Sequence, residues 1–166
     1  MAPNTSTTDK ASRQVTITRT VNAPRDLVFA VWTQPEHLIH WWGPDGFTNT
    51  FIETDIRTGG RWRYVMHGPD GTNYPNLMSF SEVTPPERLA YLHGSGEDPD
   101  PHAFEGAVTF EDEGGKTRIT MTSTFATAEA RDYVVHNFHA IEGGNQTLDK
   151  LEAYLKLLNG ASSERG

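Results

Sequence analysis

VNAPRDLVFAVWTQPEHLIHWWGPDGFT, residues 21–48, carries three of the four tryptophans of the chain, Trp32, Trp41 and Trp42. Adjacent indoles are costly to leave in water, and each buried N–H needs an acceptor. Trp41 and Trp42 are therefore expected to wedge between elements or to line something hollow. The stretch leaves an alternating, β-branched run, VTITRTV at 15–21, that reads as a strand. Asn22 is a candidate N-cap and Pro24 suits a first helical turn. Leu27, Val28, Val31 and Trp32 recur at helical spacing and predict a helix to about residue 33. Pro35 opens a second short helix through His40, and Gly43-Pro44-Asp45-Gly46 turns the chain into a new strand.

From residue 47 the pattern is strand and turn. Phe47 to Ile56 is followed by Gly59-Gly60 and by GRWRYVMH at 60–67, which puts Trp62, Tyr64 and Met66 on one face. Gly68-Pro69-Asp70-Gly71 is a hairpin turn. Tyr74 to Val83 returns and stops at Pro85-Pro86, which cannot donate to a ladder. Leu89 to His93, Phe104 to Phe110 and Thr117 to Phe125 complete a meander of about seven strands, counting the first. Thr127 then caps a helical region to about Leu158, whose stripe is Val134, Phe138, Ile141, Leu148, Leu151 and Leu155. Gly143-Gly144 interrupts that stripe. Either the helix breaks within 139–144, giving a short helix and a longer terminal one, or the glycines let its backbone approach the sheet.

A chain of 166 residues suits one domain. The polar ends, 1–13 and 159–166, read as disordered tails around a domain at 14–158. With no cysteine there is no disulfide, thiol nucleophile or thiolate metal site. The net charge of −8 argues against a nucleic-acid footprint. The acidic groups Glu97-Asp98-Asp100 and Glu111-Asp112-Glu113 read as solvated turns. No apolar run is long enough for a membrane helix, and MAPNTSTTDKASRQ at 1–14 lacks the apolar stretch of a secretory signal. Cytoplasm is the default location.

The order strand, two short helices, six strands and long helix resembles the helix-grip fold of the START-like (SRPBCC, Bet v I-like) superfamily. The residues resemble its branch of activators of heat-shock-protein-90 ATPase and their bacterial relatives. The matching pieces are VNAPRDLVFAVWTQPEHLIHWWGP at 21–44, GGRWRYVMHGPDGTNYPN at 59–76, EVTPPERLAY at 82–91, VTFED at 108–112 and EGGNQTLDKLEAYL at 142–155. The resemblance implies an α+β domain in which a curved antiparallel sheet wraps a long C-terminal helix. It also implies a pocket between helix and sheet for apolar or amphipathic small molecules. Superfamily members include carriers, cyclases and hydrolases, and the eukaryotic co-chaperones engage a client protein. Many relatives carry Gly-Trp where this chain has Gly144-Asn145, so ligand preference does not transfer.

No catalytic centre announces itself. His136 with His139, and His37 with His40, sit at i and i+3, and His93 or His102 could join across space. There is no HExxH spacing, so no metal or other cofactor is assigned. Ser95 in Gly94-Ser95-Gly96 lacks the nucleophile elbow. Strand alternation puts Glu82 on the face of Phe80, where a buried carboxyl would be informative, and Glu105 opposite Phe104. Arg61 and Arg63 fall opposite Trp62, towards solvent.

The residues expected to line the pocket are Trp41, Trp42, Trp62, Tyr64, Met66, Asn76, Met78, Phe80, Val108, Phe110, Ile119, Met121, Phe138, Ile141 and Asn145. A pocket of this kind spans roughly 300–1,000 Å³. The function expected is binding of a small hydrophobic or aromatic ligand. The first alternative is an enzyme acting on a polyketide-like or aromatic substrate with acid–base help from Tyr64, Glu82 or a histidine. The second is a co-chaperone-like interaction module. No nucleic-acid or membrane partner is expected; a homodimer and a chaperone partner stay open.

Overall fold

In the computed structural model the described residues are 12–96, 100, 103–137 and 139–165, with side chains to Leu158. Phe138, His102 and Glu97-Asp98, named above, lie outside them. The chain runs β1 (Gln14–Val21), α1 (Arg25–Thr33), α2 (Pro35–Leu38), then β2 (Thr48–Thr54), β3 (Arg61–His67), β4 (Asn73–Thr84), β5 (Arg88–Gly94), β6 (Phe104–Glu113) and β7 (Lys116–Phe125). Two helices follow, α3 (Ala128–Asn137) and α4 (Ala140–Arg165). The strands form one sheet in the order β1-β7-β6-β5-β4-β3-β2, antiparallel throughout. Hairpins join β2 to β7 in sequence, and β1 adds to the far side of β7. This is the α+β helix-grip architecture.

Local chemistry accounts for the element ends, with two differences from expectation. Pro24, not Asn22, is the N-cap of α1, and its carbonyl accepts from Val28 N at 3.1 Å. Thr127 Oγ1 does cap α3, accepting from Ala130 N at 3.0 Å. α3 ends at Asn137 and α4 begins at Ala140, and His139 before it takes a φ of 52°. Gly143 and Gly144 sit inside α4 instead of ending it. A Cβ on Gly144 would lie 2.5 Å from Ile17 Cδ1, and one on Gly143 would lie 3.3 Å from Pro44 Cγ. The glycines thus bring α4 close to β1 and to the turn after α2. The helix backbone runs to Arg165, beyond Leu158 where the apolar stripe ends.

The inner face of the sheet is filled by rings. Trp32 packs edge-on against Trp41, Trp42 and Phe110 at centroid distances of 4.9, 6.2 and 5.4 Å. Trp42 leans on Trp62 at 5.2 Å, and Trp62 stacks on Tyr64 at 4.2 Å. Leu148, Leu151 and Leu155 of α4 close the other side of the same core. Each such aromatic pair is worth about 0.5–1.5 kcal/mol beyond the area it buries. Trp41 is fully buried, and its indole N–H donates to the Val31 carbonyl at 3.1 Å. Gly106 lies under the Tyr91 ring, where an added Cβ would come within 2.2 Å of Cε1.

Trp41→Ala is expected to lower the unfolding free energy by about 3–5 kcal/mol in urea denaturation. A midpoint close to that of the parent protein would place the ring outside the core. Gly106→Ala is expected to cost about 1–3 kcal/mol, because a rigid ring must move aside. An unchanged melting temperature would refute that close approach.

Candidate functional site

The strand register brings most of the predicted lining to one concave face. Trp62, Tyr64 and Met66 of β3 stand opposite Met78, Asn76 and Tyr74 of β4. Val108 and Phe110 of β6 stand opposite Met121 and Ile119 of β7. Trp42 and Trp41 descend onto this surface from the chain after α2. Arg61 is exposed and reaches Glu53 at 3.4 Å on the outer face.

Among the described residues, the space against the aromatic wall is far smaller than the pocket expected. The hollow against the aromatic wall measures about 10 Å³ and is lined by Trp32, Ile56, Trp62, Met78, Phe80, Leu89 and Tyr91. That is room for about one water molecule. The hollow also lies towards the β2–β3 loop, away from α4. The cause is ring volume, because the tryptophans that were expected to border the void occupy it instead.

Several predicted residues sit elsewhere. Asn145 faces the edge strand: its Oδ1 accepts from Arg19 Nη2 at 3.3 Å, and its Nδ2 donates to the Ile141 carbonyl. Ile141 is exposed on α4. Glu82 is on the outer face, contrary to simple alternation. The register shifts between Phe80 and Glu82, so Ser81 is an extra residue and Val83, not Glu82, points inward. Glu82 pairs with Arg88 at 3.1 Å, and its carboxyl is held low chiefly by the Thr84 hydroxyl and then by Arg88.

The histidines are dispersed. His37 Nδ1 lies 2.6 Å from the Tyr154 hydroxyl, and His40 stacks on the Tyr154 ring. His136 and His139 are exposed. Among the described residues, no three metal-ligating side chains come together.

One polar cluster does enter the concave face. Asn76 Nδ2 donates to the Tyr74 carbonyl at 2.9 Å, which turns Oδ1 towards His93 Nε2 at 2.8 Å. His93 Nε2 must therefore carry the hydrogen and donate to Asn76. The Tyr64 hydroxyl lies 3.4 Å from the same nitrogen and accepts from the Trp42 indole N–H at 3.1 Å. A protonated Nε2 cannot take the Tyr64 hydrogen, which has no acceptor among the described residues. His93 is only part-buried, yet its ring stands among Phe104, Tyr91 and Tyr64 at 4.9, 6.2 and 6.3 Å. Desolvation there pushes its pKa down to about 4, against a smaller opposing pull from Asp100. Burial pushes the Tyr64 phenol well above its ordinary range. At neutral pH both rings are uncharged.

Two further polar atoms near this wall, the Trp62 indole N–H and Asn49 Oδ1, are buried with no partner among the described residues. Asn49 Nδ2 donates to the Trp42 carbonyl at 2.9 Å. Alternation finds Tyr64 and Asn76 from sequence. The partnership with His93 crosses β4 diagonally, and no local pattern announces it.

A histidine whose folded pKa lies near 4 resists protonation that the unfolded chain accepts near 6.5. The stability it contributes is full above about 6.5 and is lost as pH falls towards 4. His93→Gln is expected to flatten stability against pH within that window relative to the parent protein. Parallel curves from urea denaturation at pH 4 to 7 would rule out a desolvated His93.

Comparison with known families matches residues 22–156 to the family described as Activator of Hsp90 ATPase homolog 1-like protein. Among solved structures, the chain is similar to protein Ms6760 from Mycobacterium smegmatis, with 30% identity, 89% of this chain and 93% of that one covered, and a TM-score of 0.80. It is also similar to protein NE0264 from Nitrosomonas europaea, with 26% identity, 90% and 98% covered, and a TM-score of 0.81. A protein from Arthrobacter aurescens matches with 26% identity, 88% and 87% covered, and a TM-score of 0.80. No curated protein matches. No helix among the described residues is long and apolar enough to cross a membrane.

Proposed function

The chain belongs to the Activator of Hsp90 ATPase homolog 1-like family, and from that premise we propose that it binds a small, mainly apolar or aromatic molecule against the concave face. The observation that carries this reading is the Tyr64–His93–Asn76 cluster, set into a wall that is otherwise aromatic and aliphatic. A core that served stability alone gains little from such a group, since each buried polar atom must recover its lost hydration. A binding face needs a few polar groups in an apolar surround, because they orient the guest.

The guest enters by displacing side chains, as the hollow of about 10 Å³ is too small for it. The cluster orients a ligand instead of reacting with it. His93 donates to Asn76 from the nitrogen nearest Tyr64, and a phenol pushed upward stays protonated at neutral pH. Neither group is poised as the acid or base of the enzymatic alternative. Among the described residues, the exposed large apolar side chains Ile39, Ile52, Leu92, Tyr133, Ile141 and Leu157 fall on β2, β5, α3, α4 and the end of α2, which favours an internal site over a protein-docking face.

Protein purified without added ligand and examined by native mass spectrometry is expected to carry a small-molecule excess that denaturation releases. Titration with aromatic and terpenoid compounds is expected to change tryptophan emission. Asn76→Leu is expected to weaken that response by about five- to tenfold, the worth of one hydrogen bond. No passenger together with unchanged emission across the panel overturns the reading.

A further inference from the structure

Trp62 is 2% exposed, borders the hollow and has an indole N–H with no acceptor among the described residues. Its ring stacks at 4.2 Å on Tyr64, whose hydroxyl hydrogen is also unclaimed once His93 Nε2 donates to Asn76. Two hydrogen-bond donors thus stand on adjacent rings with nothing to receive them. An unmet buried donor is costly, and a guest that supplies an acceptor recovers that cost.

The charge around the face narrows the choice. Four of the cations on the elements around it have partners, and Lys156 of α4 is exposed to solvent. Arg19 of β1 is paired with Asp149 and Glu152; Arg131 of α3 reaches the adjacent Asp132 through Nη1, while its Nε is buried with no partner among the described residues. Arg25 of α1 donates to the Phe110 carbonyl at 3.4 Å, and Lys150 of α4 to the Pro44 carbonyl at 3.3 Å. On β2 the unpartnered Asn49 Oδ1 presents a partial negative charge. A carboxylate buried beside Trp62 and Tyr64 would meet neutral donors, since α3, which carries Arg131, packs on β1 and β7 at the opposite edge of the sheet, and burying an uncompensated charge is costly.

We propose that the site selects an uncharged ligand bearing a hydrogen-bond acceptor, a ketone, ester, amide or ether oxygen on an aromatic or compact apolar body, and rejects carboxylates of the same shape. This rests on the ligand-binding reading above. Trp62 and Tyr64 are the residues that set the preference.

The test compares acetophenone, benzoate and ethylbenzene at pH 7, following the four tryptophan indole N–H resonances of ¹⁵N-labelled protein, with four tryptophans in the chain. Acetophenone is expected to move the Trp62 resonance downfield and to bind about tenfold tighter than either of the others. Tyr64→Phe, close to isosteric, is expected to shrink that advantage severalfold, and Trp62→Phe to do the same. Should Trp62→Phe fail to fold, the Trp62 resonance of the parent protein and the Tyr64→Phe series decide. Benzoate binding as tightly as acetophenone overturns the proposal and points to a released Arg131. Ethylbenzene matching acetophenone also overturns it, while leaving the ligand-binding reading intact. If none of the three disturbs any indole resonance, that reading fails and this inference falls with it.

Discussion

A seven-stranded sheet curved around one helix has more inner surface than the helix can cover, and the tryptophan cluster meets that deficit. Leu148, Leu151 and Leu155 supply one seam. The remainder is taken by Trp32, Trp41, Trp42, Trp62 and Tyr64, stacked or edge-on along the concave face. Large rings fill a concavity with few side chains, but each indole brings an N–H into the interior. Trp41 and Trp42 are satisfied by Val31 and Tyr64; Trp62 is not. The chemistry of the interior follows from how those hydrogens are accommodated.

The polar cluster is the second consequence. Because Trp42 donates to Tyr64, the phenol is held as an acceptor within the wall, and Asn76 fixes the tautomer of His93 from the other side. A chain of oriented, uncharged groups results, with its direction set by one backbone carbonyl, that of Tyr74. The family relation is consistent with a fold that presents such a face, while the particular donors belong to these side chains.

Much of this was legible from residue pattern, for physical reasons that can be named. Period-two alternation is enough to put Trp62 with Tyr64 and Met78 with Phe80, since a pleated strand offers no other arrangement. It fails at Glu82 because one extra residue, Ser81, reverses the facing beyond it. The glycine pair in α4 permitted two readings, and only the positions of Ile17 and Pro44 decide that it serves close approach. Asn145 looked like an inward amide in an apolar stripe, but Arg19 arrives from a strand more than a hundred positions earlier. Whether rings border a void or fill it depends on volumes summed across α1, β3 and β4, which no single segment encodes.

The placement of β1 bears on how the chain assembles. Strands β2 to β7 join neighbours in sequence, so each pairing closes a short loop. Gln14, by contrast, meets Thr124 across a separation of 110 residues. Loop-closure entropy delays such a contact until the partner edge already exists. The pairing of β1 is thus the costliest in the sheet to close, and α1, α2 and the Trp41-Trp42 pair depend on it. A sheet without β1 would be an open trough, its oily floor bare to water and to any neighbouring chain with an unpaired edge.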